Sequence, residues 1–301
     1  MRTRSVLSVP AGNARMIEKA LASDADLVML DLEDATAPGQ KAAARQMVIE
    51  MVDQGDWRGR PRTFRCNGFD TQWMYRDIVE VLQGTRAGID RIVVPKTGDA
   101  ADVRALSILL RQIEMEYGRT EPIQLDVQIE SAMGLVNCET IAASDPRLVA
   151  LTFGPGDFAA SAGYPLAGIG ITDTWDASYP GHRWHYPMSR ISVAAHANAL
   201  SAIDGPFAAF RDLDGLRSSA QAARALGFDG KWCIHPDQIS VVNEVFTPGQ
   251  AEVEHARHVL AAYREATDAG FGAIAMGTEM IDAANLRMAL RTLEFAGETG
   301  E

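Results

Sequence analysis

Residues 91–130 read RIVVPKTGDAADVRALSILLRQIEMEYGRTEPIQLDVQIE. The stretch opens with RIVVPK (91–96) and closes with QLDVQIE (124–130), two short runs rich in β-branched residues. Between them, DVRALSILLRQIEMEY repeats its apolar residues at helical spacing. Strand, helix, strand in that order is one βαβ unit. Strands that are apolar on both faces belong to a parallel sheet covered by helices on both sides.

The alternation continues in both directions. Upstream lie SVLSVP (5–10), LVMLDLE (27–33) and TFRCN (63–67); downstream lie LVALTF (148–153), LSAIDG (200–205) and DGKWCIHP (229–236). Helical segments such as ARMIEKALA and GLRSSAQAARALG stand between them, the second ended by a glycine suited to a helix C-terminus. Eight such repeats close a barrel. The expected fold is therefore α/β, a (β/α)8 TIM barrel over residues 1–247 with a C-terminal helical lid segment over 248–301. That segment reads as a helix (AEVEHARHVLAAYREA), a glycine-bearing turn (FGAIAMG) and a second helix (IDAANLRMALRTLEFA), placed to cover a barrel mouth, its own or a neighbouring subunit's. Residues 164–190 lack periodicity and are rich in Gly, Pro and aromatics, which predicts a long functional or mobile loop.

Composition narrows the partners. Hydrophobic residues make up 47% and charged residues 23%, the balance of a chain able to bury a large core. The net charge of −12, from 40 acidic against 28 basic residues, disfavours nucleic acid and anionic membranes as partners. No run approaches a membrane span, and the N-terminal apolar stretch is too short for a signal-peptide core. Cys66, Cys138 and Cys233 are odd in number and widely spaced, so neither a disulfide framework nor a zinc knuckle is expected, and a reducing cytoplasm fits.

In barrels of this kind the chemistry sits at the C-terminal strand ends. Those ends are polar here: Asp31, Glu33 and Asp34 after the second strand, Arg65 and Asn67 after the third, Lys96, Glu130, Asp157 and His235 after later ones. Buried on a strand, such groups cost several kcal/mol unless paired or bound to a ligand, roughly. One reading is an ion-pair network that only holds the barrel top together; the other is a converging active site. Glu130 and Asp157, on adjacent strands, can share a hard cation, and Mg²⁺ suits two carboxylates with positions left for water and substrate. FGPGD allows a sharp turn that brings Asp157 inward. Zinc is disfavoured: His182 and His185 are close in sequence, but the remaining histidines lack ligand spacing. Arg65 presents a cation to an oxygen gaining negative charge, or pairs with Glu33 or Asp31, or both at once. Lys96 neutralises this acidic cluster, whose carboxylates oppose the lowered pKa a Schiff-base lysine needs.

The motifs LDLEDAT, FRCNGFDTQW, VPKT, QIESAMGL, FGPGDFAAS, CIHPDQI and GTEMIDAA, in that order, resemble the CitE-like branch of the HpcH/HpaI aldolase and citrate lyase family. GPGDFAAS, RWHY, IDGPFAAFRD and WCIHPDQI followed by VFTPGQ are most similar to malyl-CoA and β-methylmalyl-CoA lyases. The resemblance implies Mg²⁺ at Glu130 and Asp157, with Mn²⁺ able to substitute, and Arg65 on the thioester and α-keto acid, with Asp31 and Glu33 behind it. It implies a homotrimer or homohexamer in which Asp282 enters from a neighbouring subunit as general acid/base. Asp282 is equally suited to cap the helix that follows it. Lys19 matches the residues that grip CoA phosphates in such relatives; where those carry an arginine after the first strand, this chain has Asn13, with Arg15 two residues on. Lys96 completes the candidate contacts to the CoA part. The implied reaction is reversible retro-Claisen cleavage of (S)-malyl-CoA or β-methylmalyl-CoA to glyoxylate and acetyl-CoA or propionyl-CoA. Citramalyl-CoA cleavage, malyl-CoA hydrolysis, a citrate lyase β-subunit and a non-catalytic scaffold are the alternatives.

Overall fold

The structure, a computed structural model, describes residues 3–179 and 182–298. Eight parallel strands close into a barrel: β1 (Ser5–Pro10), β2 (Leu27–Asp31), β3 (Thr63–Arg65), β4 (Arg91–Val94), β5 (Gln124–Ile129), β6 (Leu148–Phe153), β7 (Ser201–Asp204) and β8 (Gly230–Cys233). The last strand pairs back to the first, Val6 opposite Trp232 and Leu7 opposite Cys233. After the strands come α1 (Ala14–Leu21), α2 (Lys41–Gln54), α3 (Met74–Gly84), α4 (Ala100–Glu116), the short α5 (Ala132–Val136) and α6 (Cys138–Ala142), α7 (Pro155–Ala162), α8 (His185–Ala197), α9 (Leu213–Ala225) and α10 (Asp237–Val245).

The barrel filling accounts for the apolar runs. Val6, Leu27, Met29, Val93, Ala150, Ile203 and Trp232 form one buried cluster, drawn from six strands. The intervening Val28 and Leu30 of β2 are buried as well; by strand alternation they face the helical layer. Each fully buried side chain of this size stabilises the fold by about 1.5–3 kcal/mol.

Several strands are shorter than their apolar runs. β2 stops at Asp31 and β3 at Arg65, so Glu33 and Asn67 lie in loops just beyond. The cause at β2 is local: the Asp31 carboxylate accepts the Glu33 N–H at 2.9 Å, a side-chain bond that replaces the ladder. Residues 185–190, expected to be irregular, are instead the start of α8. Pro187 falls in its first turn, where a missing N–H costs no helical bond.

By compactness the chain divides between Asn243 and Glu244, within α10. The second unit contains α11 (Gln250–Asp268), β9 (Ile274–Met276), β10 (Glu279–Ile281) and α12 (Ala283–Ala296). Its core is Val253, Ala256, Val259, Leu260, Ile281, Ala289 and Leu293. The expected turn at 271–277 is in fact the first half of an antiparallel hairpin, with Met276 opposite Glu279 and Gly277 at φ +64° in the two-residue loop. Ile281 therefore belongs to a strand, and the helix begins at Ala283 rather than 281. Among the described residues, no helix is long and apolar enough to cross a membrane.

Candidate active site

Strand register sets the first contact. Asp31 and Arg65 are partners across β2 and β3, so both side chains emerge together at the C-terminal barrel end. Arg65 binds Asp31 with two parallel bonds, Nε to Oδ1 at 2.8 Å and Nη2 to Oδ2 at 2.5 Å. Its remaining nitrogen, Nη1, reaches Glu33 Oε2 at 2.8 Å and Gln128 Oε1 at 3.3 Å. The guanidinium also lies 5.3 Å from the Trp232 ring centre. Burial alone would lower the Arg65 pKa, but Asp31, Glu33 and Glu130 raise it above its ordinary value, so the cation is permanent.

Lys96 closes the second side. Its Nζ lies 2.5 Å from Glu33 Oε1, and its backbone N–H donates to Glu130 Oε1 at 2.7 Å. That donation requires a left-handed backbone, φ +51°, which a side-chain-bearing residue adopts at a cost of about 1–3 kcal/mol. Burial would depress the lysine; its bond to Glu33 outweighs that and raises its pKa. Glu33 itself is raised by burial, with Arg65 and Lys96 opposing.

Glu130 follows β5 and is buried. Gln128, two residues earlier on the same strand face, donates to its Oε2 at 3.0 Å and so ties it to Arg65. Burial pushes the Glu130 carboxyl up to about 8, and the charges of Glu33 and Asp157 push in the same direction. Asp157 stands in the first turn of α7, after GPG, and its carboxylate accepts no hydrogen bond among the described residues. Gly154 is needed for the approach: a Cβ there would overlap the Glu130 side chain. Two acids near enough to disfavour each other's charge, one without a hydrogen-bond donor, fit a hard divalent cation with several positions left open. No group of three or more His, Cys, Asp and Glu with metal-holding geometry occurs among the described residues.

The family model described as HpcH/HpaI aldolase/citrate lyase matches residues 4–236. The chain belongs to that family. Among relatives of this lyase family, the L-malyl-CoA/beta-methylmalyl-CoA lyase of Cereibacter sphaeroides is 41% identical over 95% of this chain and 92% of its own length. A (3S)-malyl-CoA thioesterase of the same species is 34% identical over 96% of this chain and 93% of its own. The crystal structure of CitE from Mycobacterium tuberculosis in complex with magnesium, acetoacetate and coenzyme A superposes with a TM-score of 0.78 at 32% identity, covering 99% of each chain.

The other candidates of this HpcH/HpaI chain stand on or beside α1, α8 and α12 and in the loop after β2. Asn13 is the N-cap of α1, its Oδ1 accepting from Met16 N at 3.1 Å. Arg15 and Lys19 are exposed on α1. Asp282, in the second unit, caps α12 by accepting from Ala284 N at 2.7 Å and Asn285 N at 3.3 Å. His182 is exposed, and partial desolvation by its surroundings lowers its pKa; His185 opens α8. Asp34 is exposed, 3.6 Å from Lys96. Two supports escaped the sequence reading. Gln128 was legible in principle, being two residues before Glu130 and so on its face of the strand. Asp77 was not: it reaches from α3 to Asn67 N at 2.9 Å and pairs with Arg45 at 3.2 Å, contacts that no spacing announces.

Proposed function

We propose that this chain is a Mg²⁺-dependent carbon–carbon lyase that cleaves (S)-malyl-CoA or β-methylmalyl-CoA reversibly to glyoxylate and acetyl-CoA or propionyl-CoA. One observation carries the reading: a permanently charged arginine, fixed by Asp31 and Glu33, stands beside the buried carboxyl of Glu130 at the C-terminal end of the barrel. The lyase relative and the magnesium- and CoA-bound CitE structure support it. Glu130 and Asp157 would hold the Mg²⁺, which when bound supplies Lewis-acid polarisation of the substrate's hydroxyl and carboxylate oxygens.

The chain's own groups do the rest. Arg65 faces the thioester oxygen, which becomes an enolate oxygen as the carbon–carbon bond breaks and its electron pair moves onto the acyl-CoA fragment. Asp31 and Glu33 prevent Arg65 from rotating away. Lys96 and Gln128 orient Glu130. The substrate hydroxyl loses its proton as the carbonyl of the α-keto acid forms; Asp282, supplied by a neighbouring subunit of a homotrimer or homohexamer through the C-terminal lid segment, gives a proton to the enolate carbon and is reprotonated by the one the hydroxyl released, and condensation runs these transfers in reverse. Lys19, Arg15 and Asn13 lie along the path of the CoA phosphates. Three buried free thiols fit a reducing cytoplasm.

The test is to incubate purified protein and Mg²⁺ with malyl-, β-methylmalyl- and citramalyl-CoA and to identify the products. Glyoxylate with acetyl-CoA or propionyl-CoA supports the lyase; pyruvate from citramalyl-CoA shifts the substrate; malate and free CoA favour hydrolysis, as in the thioesterase relative. Glu130→Gln should fold and lose Mg²⁺-dependent turnover. Full activity in that variant removes the metal assignment.

A further inference from the structure

Lys41 is the first residue of α2, where the helix dipole disfavours a cation. It is also buried, and a buried ammonium is costly unless its donors are met. Neither its place in the helix nor its burial favours lysine for the sake of α2. The side chain serves the loop after β2 instead: Nζ donates to the Leu32 carbonyl at 2.6 Å and to the Glu33 carbonyl at 2.8 Å. The Trp73 ring centre, 5.2 Å from the same nitrogen, adds a cation–π contact.

Those two carbonyls belong to the backbone that surrounds Arg65. The Leu32 N–H donates to the Arg65 carbonyl at 3.0 Å, and the Leu32 carbonyl accepts from Asn67 Nδ2 at 3.1 Å as well as from Lys41. The Glu33 N–H donates to Asp31 Oδ1, the oxygen that also accepts from Arg65 Nε. Glu33 is thus held on its amide side by Asp31 and on its carbonyl side by Lys41, while its carboxylate meets Arg65 and Lys96. Because β2 ends at Asp31, side-chain bonds rather than the sheet fix this residue. The loop also carries three like charges, Asp31, Glu33 and Asp34, whose repulsion favours an open conformation; a cation bound to its backbone opposes that.

We propose that Lys41 is a positioning residue for the cleavage: by gripping the Leu32 and Glu33 carbonyls it holds the Glu33 carboxylate behind Arg65 and so keeps the guanidinium aimed at the reacting thioester. It acts through Glu33 and not on the substrate. This rests on the lyase reading, and it extends the machinery of that reading from the strand ends to the first turn of α2.

The test is a double-mutant cycle on the full-length protein with Mg²⁺ and malyl-, β-methylmalyl- or citramalyl-CoA, whichever the unaltered protein cleaves fastest. Lys41→Met removes the ammonium and keeps most of the side chain's length. It lowers kcat roughly tenfold to a hundredfold, the scale of a displacement of about 1 Å at the reacting groups, while KM for the thioester changes less than about twofold. In a Glu33→Gln background the same substitution lowers kcat by less than about twofold more, because the group that Lys41 positions is already lost. Unchanged kcat in a folded Lys41→Met protein, or a double variant whose losses multiply, overturns the proposal. If Lys41→Met fails to fold, the cycle is run under the same criteria with Lys41→Gln, whose amide still donates to one carbonyl. If the unaltered protein cleaves none of the three thioesters, the lyase reading fails by itself and melting temperatures decide for Lys41: losses that do not add in the double variant uphold its hold on Glu33, and additive losses overturn it.

Discussion

Arg65 is held by two carboxylates that are themselves buried, so its removal and its chemical alteration have different consequences. Arg65→Ala leaves Asp31 and Glu33 without their cation and should destabilise the protein by about 3–5 kcal/mol, read as a lowered denaturation midpoint. Arg65→Lys keeps a charge but cannot make the bidentate bond; it should stay folded and lose turnover, about a hundredfold or more. A lysine variant with unchanged kcat would relegate the arginine to structure. At Glu130 the sign of the pH effect follows from burial. Its folded pKa is raised from 4.5 to about 8, so its contribution to stability is fully present below the unfolded value and is lost as pH rises through about 8. A cation that binds the ionised form opposes this loss. The rise in Tm on adding Mg²⁺ should therefore be larger at pH 8.5 than at pH 6, with apparent affinity gaining about tenfold per pH unit below 8. Equal Tm shifts at both pH values would show that no proton is displaced from Glu130.

At the scale of the element, the turn from β6 into α7 decides whether the two acids can approach. Gly154 packs its backbone against the Glu130 side chain. Gly154→Ala should cost about 1–3 kcal/mol through overpacking, and Mg²⁺ affinity should fall with it, measured by thermal melts with and without the cation. Retained stability and affinity would mean that Glu130 can move aside freely. Elements also mark where sequence reading fails. Pro187 and its aromatic neighbours look like a loop because proline usually breaks helices, yet in a first turn it breaks nothing. FGAIAMG looks like a turn because its glycines dominate; three residues of it pair with Glu279–Ile281 as a strand, and a hairpin that short carries too little alternation to be detected.

At the scale of the whole molecule, Asp282 belongs to the second compact unit. Its capping bonds to Ala284 and Asn285 explain its residue type without any chemistry. Asparagine caps a helix about as well as aspartate, so Asp282→Asn separates the two roles: the proposed acid/base should lose cleavage while the melting temperature barely changes. If the acid comes from a neighbouring subunit, co-expression of Asp282→Asn with Glu130→Gln should regain a measurable share of activity, because mixed oligomers contain sites with both groups intact. Hybrids as inactive as their parents would place the acid in the same chain as the metal site or remove it from the reaction. The charge of −12 belongs to this scale too: the overall field opposes any anionic ligand, which must be held by local cations.

Alone, the order of residues determined that eight apolar runs alternate with helices, that their C-terminal ends carry acids and bases, and that Asp31, Arg65, Glu130 and Asp157 stand near those ends. These are local properties: strand and helix periodicity and turn chemistry operate within about a dozen residues. Only the tertiary structure decided that Arg65 binds Asp31 and Glu33 together, that Gln128 bridges Arg65 and Glu130, and that Lys96 reaches Glu33. Those contacts depend on the pairing register around a closed barrel and on loops meeting from strands far apart in the chain, and no local pattern encodes which side chains such closure brings together.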